Sequence, residues 1–323
     1  MQNPNLIYEL LLDTCSTKAK VADVMIGLVW TLCRQQDNGG IGLAMSPGSQ
    51  TRVLPWSGEL GSKNVMDIAP WINSWEPYQA TVAMAAINSC INARPLPDSL
   101  ALSGIGEYPN LAVFDHFLPE LRGKNVVVVG RYPGLERYQQ YMQLTVLEKQ
   151  AQAGDLPDAA CEYVLPQADW VFITASSIPN KTFPRLAELA SSATTVLMGP
   201  TTPWLPQLHE FGINYIAGVE ICDADALQQT VAQGGGVKIF AHSLRYRIAA
   251  LTADNSLSWL KQQIADCAAE RQALKLAMEA WYAVGNTRRF PDFALLERVN
   301  TRLSRLDSSY KPLWDKQNQL MTS

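Results

Sequence analysis

From Asn125 onward, short runs of apolar residues alternate with segments of helical period. The strand candidates are 126–129, 144–147, 170–174, 195–198 and 213–217, and helical patterns fall near 135–142, 158–165, 182–191, 204–211 and 225–232. The first run, Val126-Val127-Val128-Val129, is stiff, strand-favouring and apolar on both faces, as suits the centre of a parallel sheet covered by helices. Regular β/α alternation with short loops predicts an α/β fold, a Rossmann-like doubly wound parallel sheet.

Before that series the order differs. The spacing predicts an amphipathic helix over 6–15, strands over 21–32 and 41–45 around a polar turn at 35–40, a weaker strand over 51–56, then helices over 65–72 and 78–91. Strands followed by helices suit a small α+β domain. Pro95, Pro97, Gly104, Gly106 and Pro109 break any regular period and mark a linker, after which 111–121 leads into the first parallel strand. Beyond Phe240 the chain is expected to be helical and without strands. Apolar stripes through Leu257, Leu260, Ile264, Cys267, Leu274, Met278 and Trp281, and after Pro291 through Phe293, Leu296, Val299, Leu303 and Leu306, predict a helical hairpin. The expected division is an α+β domain at 1–108, a Rossmann-like domain at 109–244 and a helical extension at 245–323.

Composition narrows the class without naming a reaction. With 323 residues, 47% hydrophobic and 17% charged, the chain is long enough for sizeable cores. A net charge of −4 gives no electrostatic footprint for nucleic acid or an anionic membrane. No stretch approaches the roughly 20 apolar residues of a spanning helix, and the first residues lack a basic leader, so the expectation is a cytoplasmic protein. The six cysteines are scattered without a CxxC pair, as are the three histidines without HExxH.

In a parallel sheet the loops after the strands converge on one edge. Here those loops carry Gly130-Arg131-Tyr132-Pro133-Gly134, Glu148, Ser176-Ser177 with Asn180 to Thr182, and Gly199-Pro200-Thr201-Thr202-Pro203. Helix N-termini and hydroxyls at such positions suit an anion, although Thr202 before Pro203, and Asn180 or Thr182, are equally natural helix caps. Glu148 stands 18 positions after Gly130, near the spacing of a ribose-binding carboxylate, but the glycines read G-x-x-x-G and not G-x-G-x-x-G. Asp155, Asp158, His209, Glu220, Cys222 and Asp223 join Glu148 as metal-ligand candidates in a spacing that specifies no geometry.

The order of these loops is recognisable. Val128-Val129-Gly130 with Pro133, Val146-Leu147-Glu148, Leu165 to Asp169, Ile173 to Ser177 with Asn180-Lys181-Thr182, Gly199 to Pro203 and Ala217-Gly218-Val219 resemble the heavy-metal-chelation family, a domain of unknown function. Upstream, Ile26-Gly27-Leu28, Gly40 to Ala44, Gly58 to Gly61 and Ala85 to Asn88 resemble its companion domain. The resemblance runs to about Phe240. It implies an enolase-N-terminal-like domain, a Rossmann-like domain, a shared cleft, and the handling of a metal or a metal-chelating ligand. One departure stands out: where that pattern has histidine after the first-strand glycine, this chain has Arg131, and Tyr132 replaces phenylalanine. Arginine has no lone pair for a metal and instead suits an anion through a bidentate contact.

The leading expectation is therefore a protein that handles a metal or a small anionic ligand such as a metal chelate. Its ligand site comprises Asn88, Gly130, Arg131, Glu148, Ser176, Ser177, Asn180, Thr182, Gly199, Thr201 and Thr202. A transition-metal ion would fall to Glu148, Asp155 and Glu220. One alternative is an enzyme using a nucleotide or S-adenosylmethionine-like cofactor, with Glu148 on the ribose. Another is an accessory or assembly protein acting through its C-terminal helices, which also offer a route to a homo-oligomer.

Overall fold

The computed structural model describes residues 3–15, 19–37, 39–50, 52–103 and 108–322. The chain divides into two compact units, Met1–Ala250 and Leu251–Ser323.

In the first unit, helix α1 (Leu6–Asp13) buries Ile7, Leu10 and Leu11 at helical spacing, together with Tyr8. An antiparallel meander follows: β1 (Val21–Ile26), β2 (Trp30–Gln35) and β3 (Ile41–Met45). The run expected as one strand over 21–32 is thus a hairpin. It breaks at Gly27, where a Cβ would stand 2.6 Å from the Val231 carbonyl oxygen and 2.8 Å from that of Trp30. The strand expected over 51–56 does not form from Arg52 onward, because Pro55 has no N–H to give a ladder and the chain turns there; Thr51 lies outside the described residues. Helix α2 (Val65–Ile68) passes into a single 3-10 turn, Ala69–Asn73, with Pro70 in its first turn.

Helix α3 (Pro77–Asn92) opens with Pro77 at its first position and with the Glu76 carboxylate accepting from the Gln79 N–H at 2.7 Å. From Ala80 to Ile91 it is buried throughout. It presses so closely on β3 that a Cβ at Gly42 would lie 2.0 Å from the Ala85 carbonyl oxygen. Glycine is required there by space alone.

The larger sheet begins with β4 (Leu100–Ala101), and a 3-10 turn, Pro109–Leu111, leads into α4 (Ala112–Leu121). Then come β5 (Asn125–Val129), β6 (Gln143–Glu148), β7 (Leu156–Pro157), α5 (Cys161–Val164), β8 (Trp170–Thr174), α6 (Phe183–Leu189), β9 (Thr194–Met198), β10 (Tyr215–Ile221), α7 (Ala224–Ala232), α8 (Ile239–His242) and β11 (Leu244–Ala250). The spatial order is β4-β11-β10-β9-β8-β5-β6-β7. All neighbours from β10 to β7 are parallel. The order reverses at β5, flanked by β6 on one side and β8 on the other, which makes the carboxyl end of β5 the switch point of a doubly wound sheet. Helix α4 covers one face with aromatic contacts, Phe114 to Phe172 at 4.6 Å and Phe117 to Trp170 at 5.0 Å between ring centroids. Burying each such side chain contributes roughly 1.5–3 kcal/mol.

Two expected helices shorten to 3-10 turns, Leu135–Tyr138 after Gly134 and Pro206–Phe211. A further correction concerns β11, in a region expected to hold no strand. Leu244, Tyr246 and Ile248 point inward, while Arg245 is exposed and Arg247 half-buried, a period-two alternation suited to its antiparallel place between β10 and β4.

The second unit is a helical hairpin, α9 (Ala253–Ala283) and α10 (Phe293–Thr322). Thr252 caps α9 by accepting from the Asn255 N–H at 3.3 Å. Leu260, Cys267 and Leu274 form a seam with Leu296, Val299, Leu303 and Leu306. Among the described residues no helix is long and apolar enough to cross a membrane.

Candidate functional site

At the end of β5 the backbone reverses at Gly130, whose φ is +95°; a Cβ there would also meet Thr174 Cγ2 at 2.9 Å. The next two side chains part company. Tyr132 turns inward, with its ring 5.8 Å edge-on from Phe114 and its hydroxyl donating to the Met198 carbonyl at 3.4 Å. Burial pushes its phenol up, against the opposing hydrogen bond with Thr174. Arg131 stays at the surface, and its backbone N–H donates to Glu148 Oε2 at 2.9 Å.

Glu148 ends β6 and organises the turn after it, with Oε1 accepting from the N–H groups of Lys149 at 2.8 Å and Gln150 at 3.4 Å. Asp155, just before β7, accepts from the Gln152 N–H at 3.0 Å and pairs with Arg131 Nη1 at 2.5 Å. The Asp155 side chain is only 3% exposed and that of Arg131 32%. Around these groups lies an open cleft of about 490 Å³, walled by Arg131, Pro133, Gly134 and Glu136 on one side and Glu148, Gln150 and Gln152 on the other. The loop after β3 comes close to its rim, since a Cβ at Gly48 would lie 3.8 Å from Gln150 Nε2.

The remaining expected residues lie elsewhere along the edge or behind it. Ser176 Oγ is 3.1 Å from Thr174 Oγ1, and Ser177 Oγ donates to the Thr174 carbonyl at 2.6 Å. Asn180 is exposed. Thr182 precedes α6 without capping it through its side chain. Gly199, at φ +113°, stands beside the Tyr132 hydroxyl. Asn88, Thr201 and Thr202 are buried, at 2%, 2% and 4% exposure. Asn88 Nδ2 donates to the carbonyls of Leu43 and Thr201, and Thr201 Oγ1 accepts from the Met45 N–H, each at 2.9 Å. These contacts join α3 and β3 to the loop after β9. Thr202 caps nothing, because the following helical turn starts only at Pro206, and its Oγ1 is buried without a partner.

Between Asn180 and Thr182, Lys181 holds a left-handed φ of +66°. Its ammonium donates to the Ile72 carbonyl and lies 4.6 Å from the centroid of the Tyr8 ring.

Of the three residues to which a transition-metal ion would fall, Glu148 and Asp155 share Arg131 as a partner. Glu220 is four strands away on β10, where Arg245 at 2.6 Å and Arg247 at 3.1 Å hold its carboxyl below the usual range. Asp223 caps α7 through the Ala226 N–H at 2.9 Å. Among the described residues no group of three or more His, Cys, Asp or Glu side chains is placed to hold a metal ion. Glu136, Gln150 and Gln152 were not singled out in the sequence. Their only signal is proximity to Gly134 and Glu148.

The comparisons with known proteins fit this frame. Residues 112–250 match one family model and residues 8–91 a second, both described as "putative heavy-metal chelation". The chain belongs to this heavy-metal-chelation family. A crystal structure of a family member of unknown function from Desulfitobacterium hafniense is 28% identical, with a TM-score of 0.63, and covers 76% of this chain and 98% of its own. A second family member, from Pyrococcus horikoshii, shares the fold at 18% identity and a TM-score of 0.61, with 76% and 99% covered. An uncharacterized protein from Methanocaldococcus jannaschii is 26% identical over 220 residues, 64% of this chain and 80% of its own length.

Proposed function

We propose that the cleft beside β5 and β6 binds a small anionic ligand, including a metal held within an anionic chelator, and that Arg131 supplies the principal charge contact. The observation that carries this reading is the state of Arg131. It lines the cleft, and among the described residues Nη1 alone of its guanidinium nitrogens is bonded to a protein partner, which leaves Nε and Nη2 as donors for a carboxylate or phosphate. The chain's own donors do not fit a directly coordinated ion: Glu148, Asp155 and Glu220 are committed to backbone N–H groups or guanidiniums. In this reading a metal is cargo inside the ligand and not a resident cofactor. The 1–108 and 109–244 segments act as two lobes, with the Gly48 loop at the rim of the site.

Calorimetric titration with citrate, zinc citrate and zinc ion alone tests it. The expected result is binding of citrate or its zinc complex to the wild-type chain, weakened about tenfold or more by Arg131→Ala, a loss of the size of one charge-assisted contact. Zinc alone should show no stoichiometric site. Tight binding of zinc that ignores Arg131→Ala, or no anion binding, overturns the reading.

A second reading, a nucleotide or S-adenosylmethionine-like cofactor with its ribose on Glu148, is favoured by one observation: Glu148 ends the strand next to the switch point and faces the same cleft. Against it, the glycine turn leads into a single 3-10 turn and not into a helix whose N-terminus would hold a pyrophosphate. Adenosine and S-adenosylmethionine binding that is lost in Glu148→Ala would select this reading over the first.

A further inference from the structure

Three cysteines distant in sequence meet behind the smaller sheet. Arg94 Nη2 donates to the Thr14 carbonyl at 3.0 Å and so draws the end of α1 against the end of α3. There the side chains of Cys15 and Cys90 are hydrogen-bonded to each other. Gln35 Nε2, from β2, donates to Cys90 Sγ at 3.2 Å and to Ser89 Oγ at 3.0 Å, which fixes the Cys90 thiol in place. Cys33, on β2, is the third; it is fully buried, and its thiol is bonded to Ser89. The two members of the touching pair differ in access, since Cys90 is 5% exposed whereas Cys15 is only half-buried.

We propose that Cys15 and Cys90 form a reversible disulfide that pins the end of α1 to α3, with a low-molecular-weight disulfide as the oxidant. Cys15 is the point of entry because it is the less buried residue of the pair. Its thiol gives its proton to solvent, and the thiolate attacks one sulfur of the small disulfide. The S–S bond breaks and one thiolate leaves, to be protonated by water. The Cys90 thiol then loses its proton and attacks Cys15 Sγ in the mixed disulfide, expelling the second small thiolate. Two protein thiols are oxidised and one small disulfide is reduced to two thiols.

The Cys90 thiol beside it and burial push the Cys15 thiol well up, opposed by Thr14 and Arg94, so the reaction quickens as the pH rises into the alkaline range. The crosslink would also fix the segment of α3 that carries Asn88, two positions before Cys90, and through it the bond to Thr201.

The test is peptide mapping of the full chain after exposure to oxidised glutathione at mildly alkaline pH, with the remaining thiols blocked. A Cys15–Cys90 crosslinked peptide, lighter by two hydrogens and restored by dithiothreitol, is expected. The melting temperature should rise on oxidation and return on reduction. Cys15→Ser or Cys90→Ser should each lose the crosslink and the shift, while Cys222, which is exposed, takes up glutathione in every variant. The proposal is overturned if the folded wild-type chain keeps both thiols, if Cys15 stops at a stable mixed disulfide, or if Cys90 is joined to Cys33 instead. Because the wild-type map is decisive by itself, a variant that fails to fold leaves the test intact.

Discussion

Asn88 donates a hydrogen bond of 2.9 Å to the carbonyl of Thr201, 113 positions further along the chain, and with the same nitrogen reaches the Leu43 carbonyl. Two polypeptide segments that share no sheet are held by one buried amide. Asn88→Ala leaves both carbonyls without this donor and should lower the unfolding free energy by roughly 1–3 kcal/mol, the cost of stranded buried polar groups. Urea denaturation of wild type and variant measures it. An unchanged midpoint would show that the joint is held by packing and by the Met45 bond to Thr201 Oγ1.

The Arg131–Asp155 pair invites a double-mutant cycle with Arg131→Met and Asp155→Asn. Because the aspartate side chain is 3% exposed, its coupling to Arg131 should exceed that of an open surface pair and fall at roughly 1–3 kcal/mol. A coupling indistinguishable from zero would mean that Arg131 is held mainly by the Glu148 bond to its backbone.

Gly42 tests the packing of α3 on β3. An alanine Cβ would sit 2.0 Å from the Ala85 carbonyl oxygen and 2.2 Å from the Ser89 nitrogen, both backbone atoms, so helix and strand must separate. Gly42→Ala should cost on the order of 3 kcal/mol or more. Gly61→Ala, whose Cβ would have only the Ala22 oxygen at 3.8 Å, is the control and should leave the melting temperature nearly unchanged. Equal melting temperatures for the two variants would contradict this packing.

Much of the α/β architecture was legible because the central strands are buried on both faces and read as continuous apolar runs; Val126 to Val128 are completely buried. β11 escaped because its inward residues, Leu244, Tyr246 and Ile248, alternate with arginines and follow a helical stretch, so the short pattern blends into its surroundings. The helical patterns near 135–142 and 204–211 were visible, but not that each ends after one 3-10 stretch. In the cleft, loop order was enough to bring Arg131, Glu148 and Asp155 to notice. Glu136, Gln150 and Gln152 carry no spacing that separates them from ordinary solvated loop residues, and the use of Asn88 and Thr201 as a joint depends on long-range contacts that a local pattern does not contain.

Lys181 and Tyr8 give the protein opposite responses to alkali. Burial pushes the lysine down to about 8 from 10.5, and burial pushes the Tyr8 phenol up to about 12 from 10.0. Between pH 8 and 10.5 the folded lysine releases its proton before the unfolded one, so the unfolded chain binds more protons and stability rises with pH. From pH 10.0 to about 12 the unfolded chain loses the phenolic proton first, and stability falls. Lys181→Met should therefore abolish the rise in urea midpoint on going from pH 8 toward 10, while leaving the fall above it. A rise of the same size in the variant would assign the effect to other groups.

β4 and β11 lie side by side, with Arg247 opposite Ala101 and Ile248 opposite Leu100. The segment that leads into the parallel sheet and the strand that leads out of it are therefore neighbours on one border of that sheet. The intervening polypeptide is a closed circuit whose entrance and exit share a doorway. A circuit of this kind tolerates having its ends joined and reopened elsewhere, and sequence added after its last strand leaves its wiring undisturbed. That is the kind of layout on which a lineage can hang a helical addition without redesigning what precedes it.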